Sequence, residues 1–341
     1  MPRPKNRFIL GKLLLACVLL WPFTAARAEA RIPVFLSADV GNEIDDQWPL
    51  LHLLLSDRFD VRGIGSAHAP PENIPAPAAE NSRKLIRHIL DHRLKLRSPP
   101  PLLTGSNHPL RDARSPVRSE AVKFLLKESR RYSAKRRLQV LVIGAATDVA
   151  SSLLIDPSLA DRIRIVAMGF QGASIGGAEF NVQNDPDAWR VILASRVPLV
   201  IGAGDVTSRD LGLTKAEAAQ ILAANGPLER WLLRDFSEWF DDVAKNANIR
   251  RPDGSTIWPI WDHVVVAHLL GWTKSEVQPR PGLGKNLKFI PGNGGSLTWV
   301  TSIDRERLYA DFRRLLRHRS NRFADPPCST IGRAKNACWK L

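Results

Sequence analysis

Cysteine is scarce, with three in 341 residues, and no Cys-x-x-Cys pair or Cys/His spacing suggests zinc or dithiol chemistry. Long apolar runs are missing too, apart from Leu13 to Phe23, which is too short for a comfortable transmembrane span. No internal repeat and no long linker interrupts the chain. Acids are outnumbered, 34 Asp and Glu against 49 Lys and Arg, for a formal charge of +15. A basic surface attracts nucleic acid or an anionic membrane. The densest runs, Arg130 to Arg137 and Arg313 to Arg322, nevertheless offer only one interleaved Phe, Tyr or Trp, Tyr132, which does not make a stacking surface. They read as solvated basic faces, and neither nucleic acid nor membrane is expected as a partner of the mature chain.

The one apolar run has its own explanation. Arg3, Lys5, Arg7 and Lys12 precede it, and Ala26-Arg27-Ala28 follows as a small-x-small cleavage site. This is the pattern of a secretory signal peptide over residues 1–28, cleaved after Ala28 or, alternatively, after Ala30. A lipoprotein reading of Leu14-Leu-Ala-Cys17 is less favoured because the apolar run continues past Cys17. The expected location is therefore periplasmic or secreted. Residues 1–28 carry five cations and no acid, which leaves about +10 on the mature chain. Cys328 and Cys338 remain in a basic tail, residues 319–341, where export makes a short disulfide-closed loop the expectation.

What is present is a globular composition, 44% hydrophobic and 24% charged. Apolar runs at Ile32 to Ala38, Phe59 to Ala67, Pro99 to Thr104, Leu138 to Ile143, Ile163 to Met168 and Pro198 to Ile201 read as strands. Helical spacing separates them, at Asp46 to Ser56, Asn81 to His92, Val117 to Tyr132, from about Asp148, and from Asp185 to about Ser195. Such alternation predicts an α/β fold: an open, mostly parallel, Rossmann-like sheet with helices on both faces. Leu138 to Ile143, apolar but for Gln139, belongs at its centre. Beyond Asp205 the pattern turns helical, at Leu213 to Asn225 and Leu228 to Ala244, and predicts a helical insertion. A hairpin is expected over Leu287 to Ser302 and a last helix over Asp304 to Arg317. Residues 31–318 read as one domain.

Three constellations carry chemistry. Val34 to Asp46 is an apolar run ending in a glycine turn with four carboxylates, Asp39, Glu43, Asp45 and Asp46. In a parallel sheet that turn lies at the carboxyl edge, where ligands bind. Helix capping accounts for one of Asp45 and Asp46. The density of hard oxygen ligands points to calcium or magnesium. Glu179-Phe-Asn181 follows a glycine-rich loop. In an extended segment Glu179 and Asn181 face one way and Phe180 the other, which suits paired hydroxyls of a sugar. In Trp258-Pro-Ile-Trp261-Asp262, the acid reads as a helix cap or ligand and the tryptophans as core or as a stacking wall for a flat base.

In this order the pieces resemble the nucleoside hydrolase family, the inosine–uridine-preferring class and its relatives. The matching residues are Asp39-Val-Gly-Asn-Glu-Ile-Asp45-Asp46, Gly144-Ala-Ala-Thr-Asp148, Met168-Gly169, Ala178-Glu-Phe-Asn181 with Asp185-Pro186, and Trp261-Asp262. The resemblance implies calcium-dependent hydrolysis of the N-glycosidic bond of ribonucleosides, giving ribose and free base. By the same resemblance, calcium would be held by Asp39, Asp46, Asp262 and the main-chain carbonyl of Ile143. Asp39 would also be the general base for a metal-bound water. Asp45, Glu179 and Asn181 would hold the ribose hydroxyls, and Trp261 would face the base.

Departures from the family pattern fall mainly around the base. The first turn is two residues longer and contains Glu43, as in a branch of the family with a Gly-Asn-Glu-Ile-Asp-Asp turn. Ser37 stands where another Asp is usual, Trp261 where a histidine is usual, and Ala173 where an asparagine is common. His68 and His268 are the candidate substitutes for the missing imidazole, with a structural role the commoner fate of a lone histidine. The alternative function is a catalytically impaired nucleoside- or sugar-binding protein on the same fold. A phosphatase of the haloacid-dehalogenase type would need an Asp at position 41, which is Gly. The oligomeric state, homo-oligomer included, is left open.

Overall fold

A computed structural model describes residue 1, residues 30–223 and residues 226–320. The expected signal peptide, the lipoprotein box and the Cys328/Cys338 pair lie outside the described residues. The order of elements from residue 31 onward is β1 (Ile32–Ala38), α1 (Gln47–Leu55), β2 (Phe59–Ser66), α2 (Ala78–His88), β3 (Leu102–Thr104), α3 (Glu120–Ser129), β4 (Leu138–Ile143), α4 (Thr147–Ile155), β5 (Ile163–Met168), α5 (Phe180–Asn184), α6 (Pro186–Ala194) and β6 (Leu199–Gly202). Then follow α7 (Gly204–Leu211), β7 (Gly212–Leu213), α8 (Lys215–Leu222), α9 (Pro227–Trp239), α10 (Lys245–Ala247), β8 (Trp258–Pro259), α11 (Val264–Leu269), β9 (Thr273–Pro279), β10 (Gly282–Leu283), β11 (Phe289–Ile290), β12 (Ser296–Ile303) and α12 (Arg305–Ser320).

Eight strands form the central sheet in the order β3-β2-β1-β4-β5-β6-β12-β9. All neighbours are parallel except β12 and β9. Strand order reverses between β1 and β4, so a crevice opens at the carboxyl ends of these two strands. The expected α/β architecture is therefore present, with β4 well inside the sheet. Every residue of β4 except Gln139 is buried, as a strand covered on both faces requires. Its side chains alternate: Leu141 and Ile143 join one core, Leu138, Val140 and Val142 the other.

The first core is built on the indole of Trp48, which is fully buried. It packs 5.3 Å from the ring of Phe312 and edge-on to Phe236 and Tyr309, each at 6.1 Å. The ridge of α1 is thereby fixed against α9 and α12. The second core gathers Val149, Trp189 and Ile192 under the opposite face. Pro49 sits in the first turn of α1, where its missing N–H breaks no helical bond.

Element ends move by a few residues from the sequence expectation, mostly because polar turn residues cap or extend a helix. The helix expected over Asn81 to His92 is α2 followed by a π-turn at Ile89–Arg93, and α9 continues into a π-turn at Phe240–Ala244. The hairpin expected over Leu287 to Ser302 does not form. β12 pairs with β9, antiparallel, with Ser296 opposite Pro279 and Ile303 opposite Thr273. Phe289–Ile290 pairs with Gly282–Leu283 in a separate ribbon. β9, Thr-Lys-Ser-Glu-Val-Gln-Pro, is an exposed edge strand. It needs no apolar face, so it carries no apolar alternation to be read.

Candidate active site

The turn after β1 is folded tightly by its own main chain. The amide of Asn42 donates to the carbonyl of Asp39 at 3.0 Å, and that of Trp48 to Asp45 at 3.1 Å. Gly41 takes a positive φ of 103°; a Cβ there would stand 2.3 Å from Leu85 Cδ1, so both dihedral and space select glycine. Asn73 donates from Nδ2 to Asn42 Oδ1 at 2.8 Å and ties the turn to the proline-rich loop. A rigid turn thus presents its acids at the sheet edge instead of letting them turn to solvent.

Asp46 and Asp262 do not cap helices. Asp46 precedes α1 with helical dihedrals and makes no side-chain cap bond. Asp262 lies inside a 3₁₀ turn, Trp261–His263, where Ile260 holds the cap position and no side-chain cap bond is made. Capping is therefore not what these two carboxylates do. Asp45 Oδ2 instead accepts from the main-chain amide of Asp262 at 3.3 Å.

Together these elements enclose a cavity of about 350 Å³ at the β1/β4 crevice. Six carboxylates line it, those of Asp39, Glu43, Asp45, Asp46, Glu179 and Asp262, and no Lys, Arg or His among the described residues does. Ile143, Asn181 and Trp261 line it as well, so the residues the resemblance assigned to metal, sugar and base meet in one place. One oxygen from each of Asp45, Asp46 and Asp262 lies within 4.8 Å of the others. The tightest oxygen triad therefore contains Asp45, which the sequence resemblance had set aside for the sugar. Asp39 Oδ2 and Asp46 Oδ1 are buried without a hydrogen-bond partner.

Burial dominates the proton affinities. It holds Asp39, Glu43, Asp46 and Asp262 well above the usual carboxylate range, and their mutual repulsion adds to it. Asp45 is raised to about 6 by burial, against the hydrogen bond from Asp262. Glu179 is raised to about 7, again by burial first. Orphaned oxygens, an acid triad and no protein cation make a donor set that fits a hard divalent metal.

Glu179 and Asn181 arrive differently from the extended segment expected. Glu179 is the N-cap of α5, accepting from the amides of Asn181 at 3.0 Å and Val182 at 3.1 Å. Asn181 is the second residue of the helix, and Phe180, expected to face away, also lines the cavity. The period-2 reading failed because an acid two and three residues before free amides is a helix start. Trp258 is buried core, edge-on to Trp261 at 5.0 Å and to Trp239 at 5.4 Å. Trp261 alone forms the wall, its Nε1 donating to Ser208 Oγ at 2.9 Å.

Neither candidate histidine lines the cavity. His68 is bonded through Nε2 to Thr147 Oγ1 at 2.9 Å. His268 lies beside Arg164 at 3.1 Å. Asp148 and Asp185 are structural. The first accepts from Ser119 Oγ and the amide of Ser106, the second from Thr147 Oγ1 and the amides of Leu110 and Ala188. Asn42, Gln171, Ser208 and Ile249 line the cavity without having been singled out from the sequence. Asn42 alone had a signal, its place in the acidic turn; the others stand in stretches with no motif.

Comparison with known proteins agrees with this geometry. The sequence profile of the family described as inosine-uridine preferring nucleoside hydrolase matches residues 34–310. The pyrimidine-specific ribonucleoside hydrolase RihA of Salmonella arizonae is 24% identical over 314 residues, covering 81% of this chain and 95% of that one. Its counterpart in Citrobacter koseri is 25% identical over the same span. Among solved structures, a purine-preferring ribonucleoside hydrolase from Gardnerella vaginalis superposes with a TM-score of 0.65 at 18% identity, covering 85% of this chain and all of that one. A plant nucleoside hydrolase superposes with a TM-score of 0.64 at 15% identity.

Proposed function

The chain belongs to the inosine-uridine preferring nucleoside hydrolase family, and from that premise we propose a calcium-dependent hydrolase that cleaves the N-glycosidic bond of ribonucleosides to ribose and free base. The observation that carries the proposal is the cavity of six carboxylates without a basic side chain. Relatives act, by their names, on pyrimidine and on purine ribonucleosides. The ribose is what their substrates share, and the acids and Asn181 are built for it.

In this reading Asp39, Asp46, Asp262 and the main-chain carbonyl of Ile143 hold the cation, with Asp45 beside them. When bound, calcium supplies positive charge that grips sugar hydroxyls and lowers the pKa of a water in the cavity. Asp39 takes the proton of the attacking water on Oδ2, the oxygen left without a partner. Asp45, Glu179 and Asn181 orient the ribose hydroxyls. Glu179 does so with the lone pairs its two capping bonds leave free. The surrounding carboxylates stabilise the positive charge that develops on the sugar ring as the bond to the base breaks. Trp261 supplies an apolar face for the base. Residues 1–28 make the enzyme an exported one, periplasmic or secreted.

One observation favours a second reading, a binding protein without turnover. Trp261 occupies the usual histidine position and its only N–H is given to Ser208, so it offers no proton to a leaving base. A panel of ribonucleosides, assayed for free ribose with and without calcium chelation, separates the two. Ribose release abolished by chelation is expected. Tight nucleoside binding with no release from any member of the panel would establish the binder instead.

A further inference from the structure

The two edges of the sheet carry opposite charge. Opposite the acidic crevice, at the amino ends of β4, β5, β6 and β12, lies a second cavity of about 750 Å³. Arg137, Arg164, Arg196 and Arg280 line it, and no Asp or Glu among the described residues does. Two of these cations are already committed. Arg196 pairs with Asp161 at 2.5 Å. Arg280 spends its guanidinium on the carbonyls of Ile192, Ser195, Val197 and Ser296.

Arg137 and Arg164 are different. Arg137 Nη1 donates to the carbonyl of Ala134 at 2.7 Å, and its Nε is buried without a partner. Arg164, half-buried on β5, donates from Nη2 to Nε2 of His268 at 3.1 Å. A guanidinium has no acceptor, so that ring nitrogen is the lone-pair one, and the other, Nδ1, donates to Thr273 Oγ1 at 3.0 Å. Neither arginine has an acidic partner among the described residues. Burial, and then the charge of Arg137, weakens the hold of Arg164 on its proton. Two guanidinium groups in one partly desolvated cavity destabilise the fold unless an anion lies between them. The rim is open: Gly294 and Gly295 have positive φ, and a Cβ on either would meet nothing within 4 Å.

We infer that this cavity is a second binding site, for the phosphate group of a small phosphorylated molecule held between Arg137 and Arg164. Paired N–H donors of arginine match phosphate oxygens. The volume, larger than that of the acidic cavity, leaves room for the organic part of a phosphate ester. The acidic crevice repels the same ligand, so the sites do not compete. The inference stands independently of the proposed hydrolase activity.

The test is calorimetric titration of the full-length protein with inorganic phosphate, with phenyl monophosphate and with phenol, none of which carries a ribose, at constant ionic strength. Saturable binding of phosphate or of the monophosphate is expected. It should weaken at least tenfold in Arg137→Gln/Arg164→Gln, with the circular dichroism spectrum unchanged. Tighter binding of the ester than of free phosphate marks an ester as the ligand; equal binding marks the free anion, and both support the site. If the double variant does not fold, Arg137→Gln alone carries the test, because among the described residues the Arg137 guanidinium bonds only the main-chain carbonyl of Ala134. No saturable binding, binding that survives loss of both arginines, or binding confined to a polyanion such as heparin would overturn the inference.

Discussion

The main-chain amide of Asp262 donates to Oδ2 of Asp45 at 3.3 Å, across 217 residues of sequence. That bond joins the turn after β1 to the 3₁₀ turn before α11, and so sets the spacing of the acid triad. Asp45→Asn keeps an acceptor oxygen for the bond but removes a charge from the cavity. It is expected to leave the melting temperature within a few degrees of wild type and to lower ribose release at least tenfold. Asp45→Ala removes the acceptor as well and should lose both stability and activity. Thermal unfolding and a reducing-sugar assay on the two variants check this; equal melting temperatures would show that the bond does not hold the turns.

Asp39 buries one oxygen, Oδ2, without a partner, and Gly144 leaves room for the carboxylate on its Oδ1 side. A Cβ at position 144 would stand 2.8 Å from Asp39 Oδ1 and 3.0 Å from its main-chain nitrogen. Asp39→Asn is expected to lower kcat by about 10²- to 10⁴-fold, the range for loss of a general base. Gly144→Ala should produce a smaller loss with Asp39 intact, by pushing its carboxylate aside. Full activity in Gly144→Ala would show that the position of Asp39 is not held by this contact.

Trp261 lines the cavity while its indole N–H is tied to Ser208. Trp261→Phe retains a flat wall and is expected to raise KM for ribonucleosides only a few-fold. Trp261→Ala should raise it by about ten- to a hundredfold, since stacking on a base is worth about 1–3 kcal/mol. A fall in kcat with KM unchanged would place Trp261 in the chemistry instead of in binding.

Asp45 and Glu179 hold protons up to about 6 and about 7 when the cavity contains no cation. Below about pH 4, folded and unfolded chains both keep these protons. Between there and pH 7 the unfolded chain releases them first, so the folded state binds more protons and loses stability as pH rises. In the presence of chelator, the contribution of these groups should therefore lower the melting temperature from pH 5 to pH 8. Added calcium should raise it most at pH 8, where the acids are ionised. A calcium effect larger at pH 5 than at pH 8 would contradict this electrostatic account.

Much of the architecture could be read in the chain. Ile32–Ala38, Leu138–Ile143 and Ile163–Met168 form strands at the residues expected, because strands buried on both faces are apolar along most of their length. The acids of the first turn, Glu179, Asn181 and Asp262 were each legible as polar residues at the ends of such strands or beside helix starts. β9 was not, because an edge strand in solvent has no apolar face to declare it. The N-cap role of Glu179 was misread as extended chain, since three residues do not distinguish a helix start from a strand end.

The sequence by itself determined which residue types are available at the sheet's carboxyl edge, and their order along the chain. Burial patterns are local and periodic, so they survive in one dimension. Only the tertiary structure decided that, among the described residues, six acids share one cavity without a cationic side chain, that Trp261 and not Trp258 lines it, and that two arginines at the opposite edge lack acidic partners. These are matters of distance between residues far apart in sequence. They are settled when the whole sheet closes, because the free energy that brings such groups together belongs to the packed cores on both faces.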